Sequence, residues 1–297
     1  MGAILADDIL HHNYWRSTSK PTITTTDTNE QSGFEFVNMF DNNAHTSYML
    51  ATNQQGVTII DFGLGVAKTF NGFAIHGHNL TPSQGIKLEY SVSDGTTFVA
   101  FTDSAIYPAD AEIKPDTSLG HNFGVYRKEG SNIAARYLKI TTIGWTTDSF
   151  ISNLFIGLWQ DGINVSTPYT PPNFALREFS VKRNNEGNFM SSETRKIPQK
   201  LRINLNTLNE SDLEVTAVST NSDTQFGTQN TLINYLGHFV TQFPFFIMHD
   251  TGSGTNAEIK AKRNEIYFCT ADKSVQQPSF KTPTTLNWSI NAIGYIT

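Results

Sequence analysis

The chain has 297 residues, 38% hydrophobic and only 16% charged, with a formal net charge of -6 and its lysines and arginines scattered. That is enough apolar material for more than one core and no basic stripe to neutralise a phosphate backbone, so nucleic acid is excluded as an expected partner. A single cysteine, Cys269, excludes an internal disulfide, and no window approaches the roughly eighteen uninterrupted apolar residues of a spanning helix, so membrane insertion is not expected.

Residues 1–33 are polar and Thr-rich and read as an N-terminal arm, with an edge strand over Pro21–Thr26. The opening segment lacks a basic stretch and is broken by Asp7 and Asp8, unlike a secretory signal, and Ala6 denies it a myristoylation motif. Phe34, Val37, Met39 and Phe40 then make a short apolar cluster that ends in the turn signature Asp41-Asn42-Asn43.

In Val57–Phe62, Val57, Ile59 and Asp61 alternate with Thr58, Ile60 and Phe62, which predicts a strand packed on both faces. Gly72–Asn79 reads as a buried strand through Phe73, Ala74 and Ile75, emerging into a polar loop, His76-Gly77-His78-Asn79, at one end of a sandwich. In the run of strands this one spans Phe70–His76, and further strands are expected over Ile86–Val92, Thr97–Phe101, Arg136–Ile143 and Ser152–Leu158, with a hairpin turn at Ser93-Asp94-Gly95-Thr96. The interval Asp103–Ile133, with Pro108, Pro115 and several charges, reads as a long irregular excursion.

Residues 167–173 carry Pro168, Pro171 and Pro172 and read as a linker, because proline holds the chain extended and denies it ladder donors. Residues 34–166 then form a β-sandwich, and residues 174–297 a β-rich domain. In the latter, Lys200–Leu205 alternates polar and apolar as a strand with one buried face does. Ser211-Asp212-Leu213-Glu214 suits a capping box or a strand equally. Leu232, Ile233, Tyr235, Leu236, Phe239, Val240 and Phe243 make one apolar stripe on a 3.6 period, predicting a single amphipathic helix near 228–242 that Pro244 stops. Strands follow at Phe245–Met248, Glu265–Thr270 and Leu286–Ile296.

Several residues invite chemistry. His76 and His78 would share a strand face and offer two imidazoles, yet nothing nearby completes a metal site, and packing outweighs a ligand contact. Asp41, Asn42, Asn43 and His45 make an oxygen-rich turn, but calcium wants several carboxylates and this turn has one, so no metal is expected and turn stabilisation outweighs ligand binding. Arg136 is expected to pair with Asp61, Cys269 to act as a small buried hydrophobe, and Trp145, Trp159 and Tyr169 to pack. The carboxylates Asp7, Asp8, Asp94, Asp103, Asp110, Glu112, Asp116 and Asp161 show no acid–base spacing, so no catalytic residue, cofactor or enzyme activity is expected.

The ordered segments Asp41–Tyr48, Val57–Gly63, Gly77-His78-Asn79-Leu80, Tyr90–Gly95 and Ala135–Ile140 resemble the discoidin, or coagulation factor C-type, galactose-binding-like domain. Tyr48 stands where that family commonly has Trp, and the disulfide joining the two ends of its extracellular members is impossible here. The Gly-His-Asn-Leu variant is similar to discoidin-like modules of tailed-phage virion proteins. The strand, helix, Phe243-Pro244-Phe245-Phe246 and hairpin order of the last 120 or so residues resembles the ring-forming domain of phage distal-tail and minor tail proteins.

The resemblance implies a mainly β chain: a galactose-binding-like jelly-roll sandwich followed by an assembly domain. It implies a homo-oligomeric, ring-like structural protein of the virion tail (tip, baseplate or collar), assembled in the host cytoplasm. Its partners would be itself, other tail proteins and host surface glycans, the last contacted through Asp41, Asn43, His45, His78 and Asn79. A free bacterial carbohydrate-binding protein is the alternative.

Overall fold

The computed structural model describes residues 2–5, 8–17, 19–25, 30–43, 45–52, 55–81, 83–101, 112–113, 123–127, 132–166, 178–183, 189–194, 199–209, 243–248, 266–272, 279–282 and 285–295. The protein is mainly β, as expected. The first half contributes β1 (Gly2–Leu5), β2 (Thr22–Thr25), β3 (Tyr48–Met49), β4 (Val57–Asp61), β5 (Lys68–Phe70), β6 (Gly72–His78), β7 (Gly85–Ser91), β8 (Val99–Ala100), β9 (Glu112–Ile113), β10 (Phe123–Arg127), β11 (Ile133–Ala135), β12 (Tyr137–Ile143), β13 (Phe150–Gly157) and β14 (Trp159–Ser166). The second contributes β15 (Glu178–Arg183), β16 (Phe189–Thr194), β17 (Gln199–Asn209), β18 (Phe245–Met248), β19 (Ile266–Ala271), β20 (Ser279–Thr282) and β21 (Thr285–Tyr295). The capping-box segment at 211–214, the stripe at 228–242 and the Pro-rich 167–173 lie outside the described residues.

Two sheets form the sandwich. One runs β2-β4-β12-β7-β8 with β9 beside β7, and the other runs β10-β6-β13-β3. The alternation in β12 explains its place. Leu138 and Ile140 are buried in the shared core, while Lys139 stands directly opposite Glu89 on β7 and pairs with it at 2.8 Å. A 3₁₀ turn at Phe36–Phe40 closes the β3 side. Phe36 meets Phe40 and Tyr48 edge-on at 5.1 and 5.3 Å, and Tyr48 continues to Trp145 at 5.6 Å.

Three expectations are corrected. β4 buries only Thr58 and Ile60, leaving Val57, Ile59 and Asp61 half-exposed, because the outer face of its sheet carries ion pairs, Arg136 on Asp61 and Lys139, opposite Ile59, on Glu89. The excursion at 103–133 holds β10, whose Phe123–Arg127 pairs with β6 residue for residue; charged and Gly-rich flanks hide this short strand in the sequence. His76 falls in a strand as expected, whereas His78 belongs to β6 rather than to a loop; both are buried, and the third layer covers His76 through Phe268. The edge strand over Pro21–Thr26 is present as β2, which among the described residues pairs with β4 alone.

The third layer is a closed barrel. β17, β14, β1, β18, β19 and β21 pair in sequence, and β21 returns to β17 over Gln199–Asn209, with β20 as an outlier on β21. All these pairings are antiparallel. β1, from the N-terminal arm, is therefore an interior stave: Ile4 sits opposite Ile247 and Gln160, and Leu5 opposite Phe246 and Trp159. Side chains alternate along β18 and β19, so Phe246, Met248 and Phe268 face the sandwich, while Phe245, Ile247 and Cys269 are buried on the other face.

The chain crosses between sandwich and barrel twice, and each crossing is pinned. Only Leu158 separates β13 from β14, and there the Asn71 side chain accepts from the Trp159 N–H at 2.7 Å. After β1, the Asp8 carboxylate accepts from Leu10 N–H at 3.1 Å and from Ile156 N–H of β13 at 3.4 Å.

Candidate functional site

Asp41 organises the turn that leads into β3. One carboxylate oxygen accepts from Asn43 N–H at 2.8 Å, and the other accepts from the Thr46 hydroxyl at 2.7 Å. The Asn43 side-chain oxygen accepts in turn from His45 N–H at 3.0 Å, and Asn42 takes a positive φ of 59° that an asparagine tolerates. These oxygens thus shape the backbone, and Asn43 and His45 are exposed residues of the turn.

His78 and Asn79 sit at the end of β6. The Asn79 side chain donates to Asp148 carbonyl at 2.6 Å and accepts from Phe150 N–H at 2.8 Å, tying this end of β6 to the start of β13. His78 Nδ1 accepts from Leu80 N–H at 3.1 Å, which places the ring proton on Nε2. The 41–46 turn and the Asn79 corner are braced by separate sets of hydrogen bonds. Tyr48, Ile151 and His78 nevertheless occupy one row across β3, β13 and β6, about 10 Å from end to end at the usual strand spacing. The proposed ligand residues thus form two separately braced corners.

Between sandwich and barrel the packing is aromatic, with one polar exception. Phe155 contacts Phe246 and Phe268 at 5.2 and 5.8 Å, and His76 stacks on Phe268 at 4.1 Å with planes 24° apart. His76 is 3% exposed and opposite Asn153, which is fully buried, and among the described residues neither side chain has a hydrogen-bond partner. Burial, reinforced by the neighbouring His78, pulls the His76 pKa down to about 4, so the ring is neutral at pH 7. Gly77 between the histidines has φ +65°, and a Cβ there would stand 3.0 Å from Ser152.

Other expectations fall on structural roles. Arg136 grips Asp61 with two bonds of 2.8 Å, and this donation holds the Asp61 carboxyl below its ordinary range. Asp94 accepts from Thr97, Thr96 and the Ser91 hydroxyl, which holds it well below that range and fixes the hairpin turn, where Gly95 has φ +65°. Burial pushes the Cys269 thiol up, so it is an inert core group. Trp145 is buried with its indole N–H on Gly85 carbonyl at 2.8 Å, and Trp159 packs at the barrel interface; Tyr169 lies outside the described residues.

One cluster escapes a motif search. Trp15 is 45% exposed, Tyr14 meets it edge-on at 5.2 Å, and the Lys20 ammonium lies 4.9 Å from the Tyr14 ring and 5.7 Å from the Trp15 ring. The signal that could have found it is local: residues 9–26 contain Arg16 and Lys20 and no carboxylate, in a chain of net charge -6.

No protein-family model matches the chain, and no curated protein matches it. Among solved structures it is similar to a GH29 fucosidase of Ruminococcus gnavus in complex with fucose (16% identity, TM-score 0.37), the match covering 52% of this chain but only 27% of the fucosidase. It is also similar to the family 32 carbohydrate-binding module of C. perfringens NanJ in complex with galactose (16% identity, TM-score 0.35, covering 54% of this chain and 100% of the module). A third is a chitosan-binding module from a Paenibacillus chitosanase/glucanase (16% identity, TM-score 0.32, covering 46% and 93%).

Proposed function

We propose that the protein is a non-catalytic structural component of a tailed-phage tail, whose barrel half assembles with further copies and whose sandwich is displayed toward host glycans. The observation that supports it best is the mounting of the sandwich. β1 completes the barrel, the two chain crossings are pinned by Asp8 and Asn71, and aromatic side chains fill the contact. A module that only captures sugar works equally well on a flexible tether; a part that must hold position in an assembly needs a fixed joint.

The test is light scattering and negative-stain electron microscopy of the full-length recombinant chain. A closed multimer of fixed copy number is expected. A monomer persisting at concentrations up to about ten times those inside a producing cell would overturn the assembly role. A free glycan-binding protein is the second reading, favoured by the solvent-facing Trp15, and it predicts a monomer with clear sugar binding.

A further inference from the structure

We infer that Tyr14, Trp15 and Lys20 form a binding site for an anionic saccharide, built from residues other than those of the Asp41 turn and the Asn79 corner. The inference rests on the glycan-display half of the function proposed above and is independent of assembly. Sugars bind proteins by laying the apolar C–H face of a pyranose ring on an aromatic plane, and acidic sugars add a carboxylate or phosphate that seeks a cation. Both elements are present at one exposed place. Among the described residues Trp15 is the exposed large aromatic; the other exposed large hydrophobics are aliphatic, Leu64, Val92 and Val99.

The platform is held rather than loose. Ile9 and Leu10 are fully buried, the Asn13 side chain donates to Ile9 carbonyl at 2.6 Å, and His11 Nδ1 donates to Phe40 carbonyl at 2.6 Å. Tyr14 leans edge-on against the buried Phe40 at 6.3 Å, so the corner between its ring and the indole is set by the sandwich core. The segment His12–Arg16 is a π turn, a rare geometry that recurs at functional sites. Beyond it the Ser17 hydroxyl donates to Ser19 carbonyl, and its oxygen accepts from Ser19 N–H, both at 3.1 Å. That tight turn brings Lys20 back over the two rings.

Charge selects the ligand class. Lys20 is exposed and no described carboxylate pairs with it, so its ammonium is available to an incoming anion while its stem lines the aromatic corner. A neutral sugar would gain the stack alone. A uronic or sialic acid would add an ion pair to carboxylate, and a sugar phosphate the same pair to phosphate.

Isothermal titration and tryptophan emission on the full-length chain test this with trigalacturonic acid and sialyllactose as carboxylate probes, mannose 6-phosphate as the phosphate probe, and lactose and maltotriose as neutral controls. At least one anionic probe is expected to bind more tightly than the neutral ones, and its affinity to fall as salt is raised from about 0.05 M to about 0.5 M. Trp15→Ala should weaken it about tenfold or more, Trp15→Phe distinctly less, and Lys20→Gln should lower anionic but not neutral affinity. Equal binding by wild type and Trp15→Ala, or no anionic binding by a folded wild type, would overturn the site. Light scattering on the same samples separates the outcomes: a multimer that binds no anionic sugar defeats this inference alone, and a monomer that binds one defeats only the assembly role.

Discussion

The joint between sandwich and barrel should come under strain in mild acid, and His76 sets the pH at which it does. Its pKa is pulled from 6.5 to about 4 by burial against Phe268 and by His78, so the folded protein holds the ring neutral where the unfolded chain protonates it. The stability that depends on this neutral ring is complete above pH 6.5. It declines as pH falls from 6.5 toward 4, because the unfolded state then binds the extra proton. Linkage with these two values gives a loss of about 2 kcal/mol at pH 5 and about 3 kcal/mol at pH 4. Asp61 and Asp94, whose pKa values are lowered from 3.8, contribute stability that is lost only below about pH 4, so the His76 interval stands apart.

The measurement is urea unfolding of wild type and His76→Phe at a series of pH values from about 7.5 to about 4.5, followed by far-ultraviolet circular dichroism. Phenylalanine can keep the stack on Phe268 and removes two buried ring nitrogens that have no partner, so the variant should be at least as stable at neutral pH. Its stability should also fall by about 2 kcal/mol less than wild type between pH 7 and pH 5. If both proteins lose stability in parallel over that range, the buried neutral imidazole is not what couples the joint to pH.

Ile4→Asp places a charge on a fully buried stave of the barrel and should cost more than about 4 kcal/mol or prevent folding of that half, read as loss of the cooperative thermal transition. Gly77→Ala must hold φ +65° with a Cβ 3.0 Å from Ser152, and a loss of about 1–3 kcal/mol is expected in the same urea assay. Asp61→Asn removes one half of the two-bond pair with Arg136 and should lower stability by about 1–2 kcal/mol at pH 7, the difference shrinking below about pH 4 as wild-type Asp61 takes up a proton.

Much of the sandwich is legible in the sequence because its strands alternate and are punctuated by real turn residues: β7 and β12 fall where Ile86–Val92 and Arg136–Ile143 place them, and Arg136 finds Asp61. Partnership at long range is what stays hidden. Nothing about Gly2–Leu5 says that it will pair with strands beginning at Trp159 and Phe245, since a strand's local pattern fixes which residues share a face and not which edge it joins. Packing is the weightier sequence reading for His76 and His78, but the layer that covers His76 stays hidden for the same reason. Of the candidate site, the Asp41 turn and the Asn79 corner could be named from composition, but not that their oxygens would be spent on backbone N–H groups.

That spending bears on where a ligand can go. Satisfied side chains at Asp41, Asn43 and Asn79 exchange an existing short bond for any new one they make, so a sugar hydroxyl gains little by displacing them. Trp15 and Lys20 have no such prior commitment to a hydrogen bond or an ion pair among the described residues, and solvent already reaches both. They also lie on the stretch that runs from the barrel stave β1 to the sandwich edge strand β2. A saccharide held there would therefore rest on the segment joining the two bodies, and force applied through it would reach the barrel along the backbone and the Asp8 link as well as through the aromatic interface.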